Sequence, residues 1–110
     1  MWFHYRQNNS GGDHVFDEDS GITKHVLIEA DTADAANTRA VSIGLYWDGV
    51  DCHCCGDRWY IAHGDGMEEP LIYGESVRNY KDYAWMKDGK EIALHYADGQ
   101  IEWFGVVAEK

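Results

Sequence analysis

A turn pair, Asp98-Gly99, separates two runs of strand-forming residues, EIALHY (91–96) and QIEWFGVV (100–107). An Asp-Gly pair is typical of the tight turn in a β-hairpin, because glycine readily adopts the positive φ angle that such a turn requires. The apolar residues of the first run alternate and share one face of a strand: Ile92, Leu94 and Tyr96. The pattern predicts an antiparallel hairpin, and therefore a sheet for it to join.

A helix is predicted over residues 32–43. Either Asp31 or Thr32 can cap its first turn, and Gly44 stands where a left-handed C-terminal cap belongs. Three apolar residues are spaced to share one face of this helix: Ala36, Ala40 and Ile43. The small side chains on that face predict a helix that packs closely on a sheet.

Further strands are predicted at residues 2–7, 22–30, 58–63 and 71–77, where β-branched and aromatic residues cluster between turn residues. The chain contains no repeat, linker or low-complexity segment. These patterns predict a single α+β domain over residues 1–110, built as a mostly antiparallel sheet of four to six strands with one helix on a face.

The charge of the chain limits its partners. Twenty acidic residues against nine basic ones give a net charge of −11, and the acidic surplus is largest in residues 31–70. This charge opposes direct binding to nucleic acid or to an anionic membrane, and it favours a basic partner, a metal ion or a solvated surface. No apolar run approaches the ~20 residues of a membrane span, and no signal peptide is recognisable, so we expect an intracellular protein.

The loop DCHCCGDRWY (51–60) is the densest cluster of reactive side chains. Cys52 and Cys55 have the spacing of a zinc knuckle, in which two thiolates bind one ion and other residues complete a tetrahedron. The alternative is a tight loop whose reduced thiols pack against Trp59. A catalytic thiol is disfavoured because the acidic neighbours Asp51 and Asp57 oppose formation of a thiolate.

The rest of the chain has no phosphate-binding loop, dinucleotide fingerprint, metalloprotease motif or nucleophile elbow. The acidic runs at 17–19 and 68–69 are typical of solvated loops rather than of paired catalytic carboxylates. We therefore expect a protein that is not an enzyme.

Three stretches carry a resemblance to a known family: RQNNSGG (6–12), GITKHVLIEADTADAANTRAVSIGLYWDG (21–49) and DCHCCGDRWY (51–60). Together they resemble a family of small proteins encoded by tailed bacteriophages that has no assigned activity. The resemblance covers roughly the first 60 residues and part of the aromatic C-terminal half. It implies a viral origin, a location in the host cytoplasm and a partner among host or defence-system proteins, and it implies no catalytic residue.

These observations predict a protein that binds and inhibits or redirects a host or defence-system macromolecule with a basic surface, in one form by mimicking nucleic acid. Two other functions stay open. One is a nucleotide-sequestering module, which requires Arg6, Arg39, Arg58 and Arg78 to converge, and the other is a zinc-binding structural module. The residues expected to contact the partner are acids of three loops and aromatic residues at their edges: Asp17, Glu18, Asp19, Trp47, Asp51, Asp57, Tyr60, Glu68 and Glu69.

The zinc hypothesis has a direct test. If Cys52 and Cys55 form the metal pair, protein purified without chelator should contain about one zinc ion per chain, and replacing either cysteine with serine should release it. Replacing Cys54 is the matched control and should leave the zinc content unchanged. Fully folded protein without zinc would contradict the hypothesis and leave the tight loop.

Overall fold

The computed structural model describes residues 1–7, 16–45, 59–72, 74–79 and 91–105. Within these residues the chain forms one α-helix and six strands. In chain order they are β1 (Trp2–Arg6), β2 (His25–Glu29), α1 (Ala33–Ile43), β3 (Leu71–Ile72), β4 (Glu75–Ser76), β5 (Ile92–His95) and β6 (Ile101–Phe104).

Four of these strands form one sheet in the order β1-β2-β5-β6, and β3 pairs with β4 in a separate small hairpin. β1 lies antiparallel to β2, and β5 lies antiparallel to β6, which confirms the predicted hairpin around Asp98-Gly99. The central strands β2 and β5 are parallel, with His25 opposite Ile92. The predicted α+β fold with a mostly antiparallel sheet is confirmed.

Helix α1 begins and ends at the predicted caps. The Thr32 hydroxyl accepts a hydrogen bond from the Ala35 N–H at 3.1 Å, and Gly44 ends the helix with a φ of 121° while its N–H donates to the Val41 carbonyl at 3.1 Å. Ala36 and Ala40 are buried in the core against the sheet, and Ile43 packs beside them as predicted. Small side chains let the helix approach the sheet closely.

Side chains alternate along each strand and so give the sheet two faces, and the central strands β2 and β5 are buried on both. One face meets α1 and contributes Phe3, Tyr5, Val26 and Ile28 to its core. The other face meets the segment 67–79 and contributes Trp2, Leu27, Ile92, Leu94 and Phe104. We call these the helix side and the hairpin side of the sheet.

The strand predicted at 58–63 is wrong in the residues that the structure describes, because 59–63 form no strand. A side chain of the helix bonds this backbone instead. The Asn37 amide oxygen accepts from the Ala62 N–H at 2.9 Å, and its Nδ2 donates to the Ala62 carbonyl at 3.1 Å. The Tyr5 hydroxyl also donates to the Asn37 oxygen at 2.6 Å. Asn37 therefore replaces a neighbouring strand as the partner of this segment.

The segment predicted as one strand at 71–77 forms the two short strands β3 and β4. Gly74 stands between them with a φ of 83°, which reverses the chain. Ile72 and Val77 point into the hairpin-side core. The short hairpin thus covers one face of the sheet.

His95 is a fully buried polar side chain at the end of β5 on the helix side. Its Nε2 lies 2.7 Å from the Gly21 carbonyl oxygen, and since that oxygen can only accept, Nε2 carries the proton. Nδ1 is then an acceptor, and no donor reaches it among the described residues. Burial lowers the pKa of His95 and keeps the ring neutral.

A side chain at position 21 in place of Gly21 is expected to destabilise the folded protein. Its φ is +73°, and a Cβ would lie 2.5 Å from Cε1 of His95 and 2.9 Å from Cδ1 of Ile101. Gly64 is the matched control, because its φ is +80° and nothing lies within 4 Å of its Cβ position. We expect Gly64→Ala to cost about 1 kcal/mol of unfolding free energy from backbone strain, and Gly21→Ala to cost roughly 1–3 kcal/mol more from the clash.

Urea denaturation of both variants measures this difference. Equal losses of stability in Gly21→Ala and Gly64→Ala would contradict the close packing of His95 under Gly21.

Candidate functional site

The acids at 17–19 form a structured turn on the helix side, which we call the acidic turn. Asp17 and Ile22 exchange two backbone hydrogen bonds, of 2.8 and 2.9 Å, that close the turn at its base. The Asp17 carboxylate also accepts from the Ser20 N–H at 3.2 Å. Asp17, Glu18 and Asp19 are all exposed. The turn therefore presents three carboxylates on a backbone that is held in place.

Three apolar side chains lie next to the acidic turn and form what we call the apolar patch. Phe16 directly precedes the turn, and its ring centroid lies 5.8 Å from that of Trp103 on β6. Phe16 is 36% exposed and Ile101, also on β6, is 37% exposed. Sequence reasoning missed these residues. For Ile101 and Trp103 the alternation along 100–107 was the only signal, and alternation cannot tell which face of an outer strand is covered.

The second acidic pair, Glu68 and Glu69, lies elsewhere on the molecule. It follows Met67, whose N–H and carbonyl pair with those of Trp2 at 2.8 and 2.7 Å at the start of β1. It opens the segment that covers the hairpin side, whereas the acidic turn lies on the helix side. The structure therefore does not join the predicted contact acids into one surface.

Several predicted site residues lie outside the described residues, namely Trp47, Asp51, Asp57 and the proposed metal pair Cys52 and Cys55. Tyr60 is described and is 56% exposed, and its contact role stays a prediction. Among the described residues no three His, Cys, Asp or Glu side chains are grouped as metal ligands. The zinc prediction stays a prediction.

Two of the described basic side chains form ion pairs with acids outside the acidic turn. Lys24 pairs with Glu91 at 3.8 Å, and Arg78 pairs with Glu102 at 3.8 Å. Arg78 also lies 5.9 Å from the centre of the Phe104 ring, and its hydrogen bond to the Tyr96 hydroxyl raises the pKa of the guanidinium. Within the described part of the chain, Asp17 and Asp19 have no ion pair.

The described arginines do not converge on one point. Arg6 ends β1, Arg39 lies on α1, and Arg78 lies over Phe104 on the hairpin side. Arg58 lies outside the described residues. The described residues therefore do not support a site for a polyanionic ligand.

An open groove runs beside β1, between that strand and the segment 61–67. Its volume is about 490 Å³, and it is lined by aromatic and aliphatic side chains with two histidines and one acid: Trp2, Phe3, His4, Ile61, Ala62, His63, Asp65, Gly66 and Met67. A groove of this size accommodates a small flat molecule or one side chain of a partner.

Two histidines share a hydrogen bond beside this groove. Nε2 of His4 lies 2.8 Å from Nδ1 of His25, and the two rings are tilted by 31° with their centroids 5.0 Å apart. One nitrogen must donate and the other accept, so the contact requires at least one neutral ring. Burial, aided by the charge of Arg6, lowers the pKa of His4 from its ordinary value of 6.5 to about 4.

The fold and these surfaces define a small α+β domain with exposed carboxylates and aromatic side chains. The chain belongs to the family described as a domain of unknown function, DUF7296, and the match extends over residues 1–110. No curated protein and no solved structure matches the chain. None of the helical residues described here form a segment with the length and hydropathy needed to cross a membrane.

The histidine pair predicts a pH dependence of stability. The folded protein keeps His4 neutral down to about pH 4, whereas the unfolded chain takes up its proton near pH 6.5. The unfolded state thus binds more protons in between, and stability should fall as the pH falls from about 6.5 to about 4. The lowered pKa of His95 acts in the same direction.

Urea denaturation across this pH range should show a shallower slope for His4→Gln than for the native chain. His63→Gln is the control, because His63 is exposed and the slope should be unchanged. An unchanged slope in His4→Gln would rule out the pair as a source of the pH dependence.

Proposed function

We propose that this protein acts by binding another macromolecule that has a basic surface, and that it inhibits or redirects this partner without catalysing a reaction. The acidic turn is the observation that carries the proposal. Its carboxylates are exposed on a backbone that hydrogen bonds hold in place. The net charge of −11 adds long-range attraction toward a positively charged partner.

The identity of the partner class rests on the resemblance to bacteriophage proteins. A host or defence-system protein, met in the host cytoplasm, is the partner that this resemblance favours. A basic groove that normally holds nucleic acid is a suitable target, because carboxylates on a rigid turn can occupy positions where phosphates bind. The protein itself would then not contact nucleic acid.

A second candidate function is the binding of a small ligand in the groove beside β1. Its volume of about 490 Å³ and the imidazole rings of His4 and His63 in its lining favour a flat ring that packs against them. Asp65 at the same groove favours a neutral or cationic ring over a nucleotide. Mass spectrometry of an acid extract of the purified protein distinguishes this function, since a retained ligand would appear there.

Charge reversal tests the binding proposal. Two double variants change the charge equally at the two separate acidic surfaces: Glu18→Lys with Asp19→Lys, and Glu68→Lys with Glu69→Lys. Asp17 is kept, because its carboxylate bonds the Ser20 N–H. We expect the Glu18 and Asp19 double variant, which lies on the acidic turn, to weaken partner binding by about tenfold or more. The Glu68 and Glu69 double variant is its control.

The measurement begins with capture of partners from bacterial lysate, followed by titration of the identified partner at low salt and at about 0.15 M, where the Debye length is ~8 Å. Affinity should fall as salt rises, and circular dichroism should show that both variants fold. If neither variant weakens binding at low salt, the acids only solubilise the protein and the proposal fails.

A further inference from the structure

We propose that the apolar patch of Phe16, Ile101 and Trp103, with the acidic turn at its rim, is the docking site for a basic protein segment that carries an apolar side chain. This inference rests on the proposed function and names its surface and the chemistry of its partner. It begins from the outer strand β6, one face of which is partly exposed in the part of the chain that the structure describes.

The partly exposed face is the helix side of β6, on which Ile101 is exposed and Trp103 is partly buried. Helix α1 packs against β2, two strands away. The strand between β2 and β6 is β5, and Gly21 covers its end by lying over the ring of His95. Ile101 and Trp103 on β6 extend beyond this cover, and among the described residues the ring of Phe16 is the aromatic group that contacts Trp103.

The inner face of the same strand shows the contrast. Phe104 is fully buried on the hairpin side, and Glu102 is engaged by Arg78 and by the Tyr96 hydroxyl at 2.5 Å. One side of β6 thus completes the core, whereas the other presents the exposed Ile101 and the partly buried Trp103. Aromatic side chains at the centre of a patch are the residues that most often contribute binding energy in protein interfaces.

The acidic turn sets the charge at the rim of this patch. Phe16 is followed at once by Asp17, Glu18 and Asp19, which are exposed. An apolar centre with a charged rim is the usual arrangement of an interface, and a rim of carboxylates selects lysine and arginine on the partner. A segment with basic residues around one apolar side chain therefore complements both parts of the surface.

A second copy of this chain is the competing occupant, and the charge argues against it. A symmetric dimer through the patch would bring the acidic turns of both copies close together. Each copy has a net charge of −11, so their approach would be repulsive. The carboxylates that would repel a second copy attract a basic segment.

Synthetic peptides test the inference with defined probes. One peptide alternates lysine with leucine, a second replaces every leucine with serine at equal charge, and a third replaces every lysine with glutamate. Fluorescence anisotropy at low salt should show that the lysine–leucine peptide binds at least about tenfold more tightly than the lysine–serine peptide, and that the glutamate peptide does not bind.

Variants locate the contact. Trp103→Ala and Ile101→Ser should each remove most of the preference for leucine, and Asp19→Lys should weaken binding of both basic peptides. Val41→Ala is the control for loss of an exposed apolar side chain, since Val41 is 55% exposed on α1. Glu75→Lys is the control for charge on the other face, since Glu75 is exposed on β4, and both controls should bind as the native chain does. Circular dichroism confirms folding, and Ile101→Ser keeps the test valid if Trp103→Ala fails to fold.

Each outcome separates this inference from the function on which it rests. If basic peptides bind but Trp103→Ala and Ile101→Ser retain the preference for leucine, the docking site is wrong and the proposed function survives. If no basic peptide binds at low salt, both fail. A dimer in light scattering that Trp103→Ala dissociates would assign the patch to self-association and overturn the inference.

Discussion

The fold depends on the burial of both faces of the parallel pair β2 and β5. Val26, Leu27 and Ile28 of β2 and the four residues of β5 are essentially inaccessible to solvent. Two adjacent strands without a polar face require a layer on each side. Helix α1 provides one layer through small alanine side chains, and the hairpin of β3 and β4 provides the other. The outer strands β1 and β6 then pair the remaining edges of the central pair.

Burial of this kind means that each polar group nearby needs a hydrogen-bond partner within the protein. Asn37 meets the demand by bonding both the N–H and the carbonyl of Ala62, so that an irregular segment is held without a strand. His4 and His25 meet it by sharing one hydrogen bond, which works only while at least one ring is neutral. His95 meets it at one nitrogen only, among the residues described. The polar groups of the core therefore connect stability to pH.

The same layering separates the surfaces on which function would act. The acidic turn and the apolar patch lie on the helix side near β6, whereas Glu68, Glu69 and the groove lie near β1. The strand order places β1 and β6 at opposite edges of the sheet. A partner that uses the first surface leaves the second free, so the two candidate functions do not exclude each other.

Local chemistry in the sequence determined the elements whose signals lie within a few residues. Thr32, Gly44 and the spacing of Ala36 and Ala40 determined the helix, and Asp98-Gly99 with its alternating flanks determined the hairpin. The acidic character and its concentration in loops were equally readable. Tertiary structure alone decided the parallel pairing of β2 with β5, because residues 30–91 separate these strands and no tight turn links them. It also decided that 59–63 bonds a side chain rather than a strand, and that Ile101 is exposed and Trp103 only partly buried while Phe104 is fully buried. Alternation assigns residues to two faces of a strand, but only the packing of the other layers determines which face meets solvent.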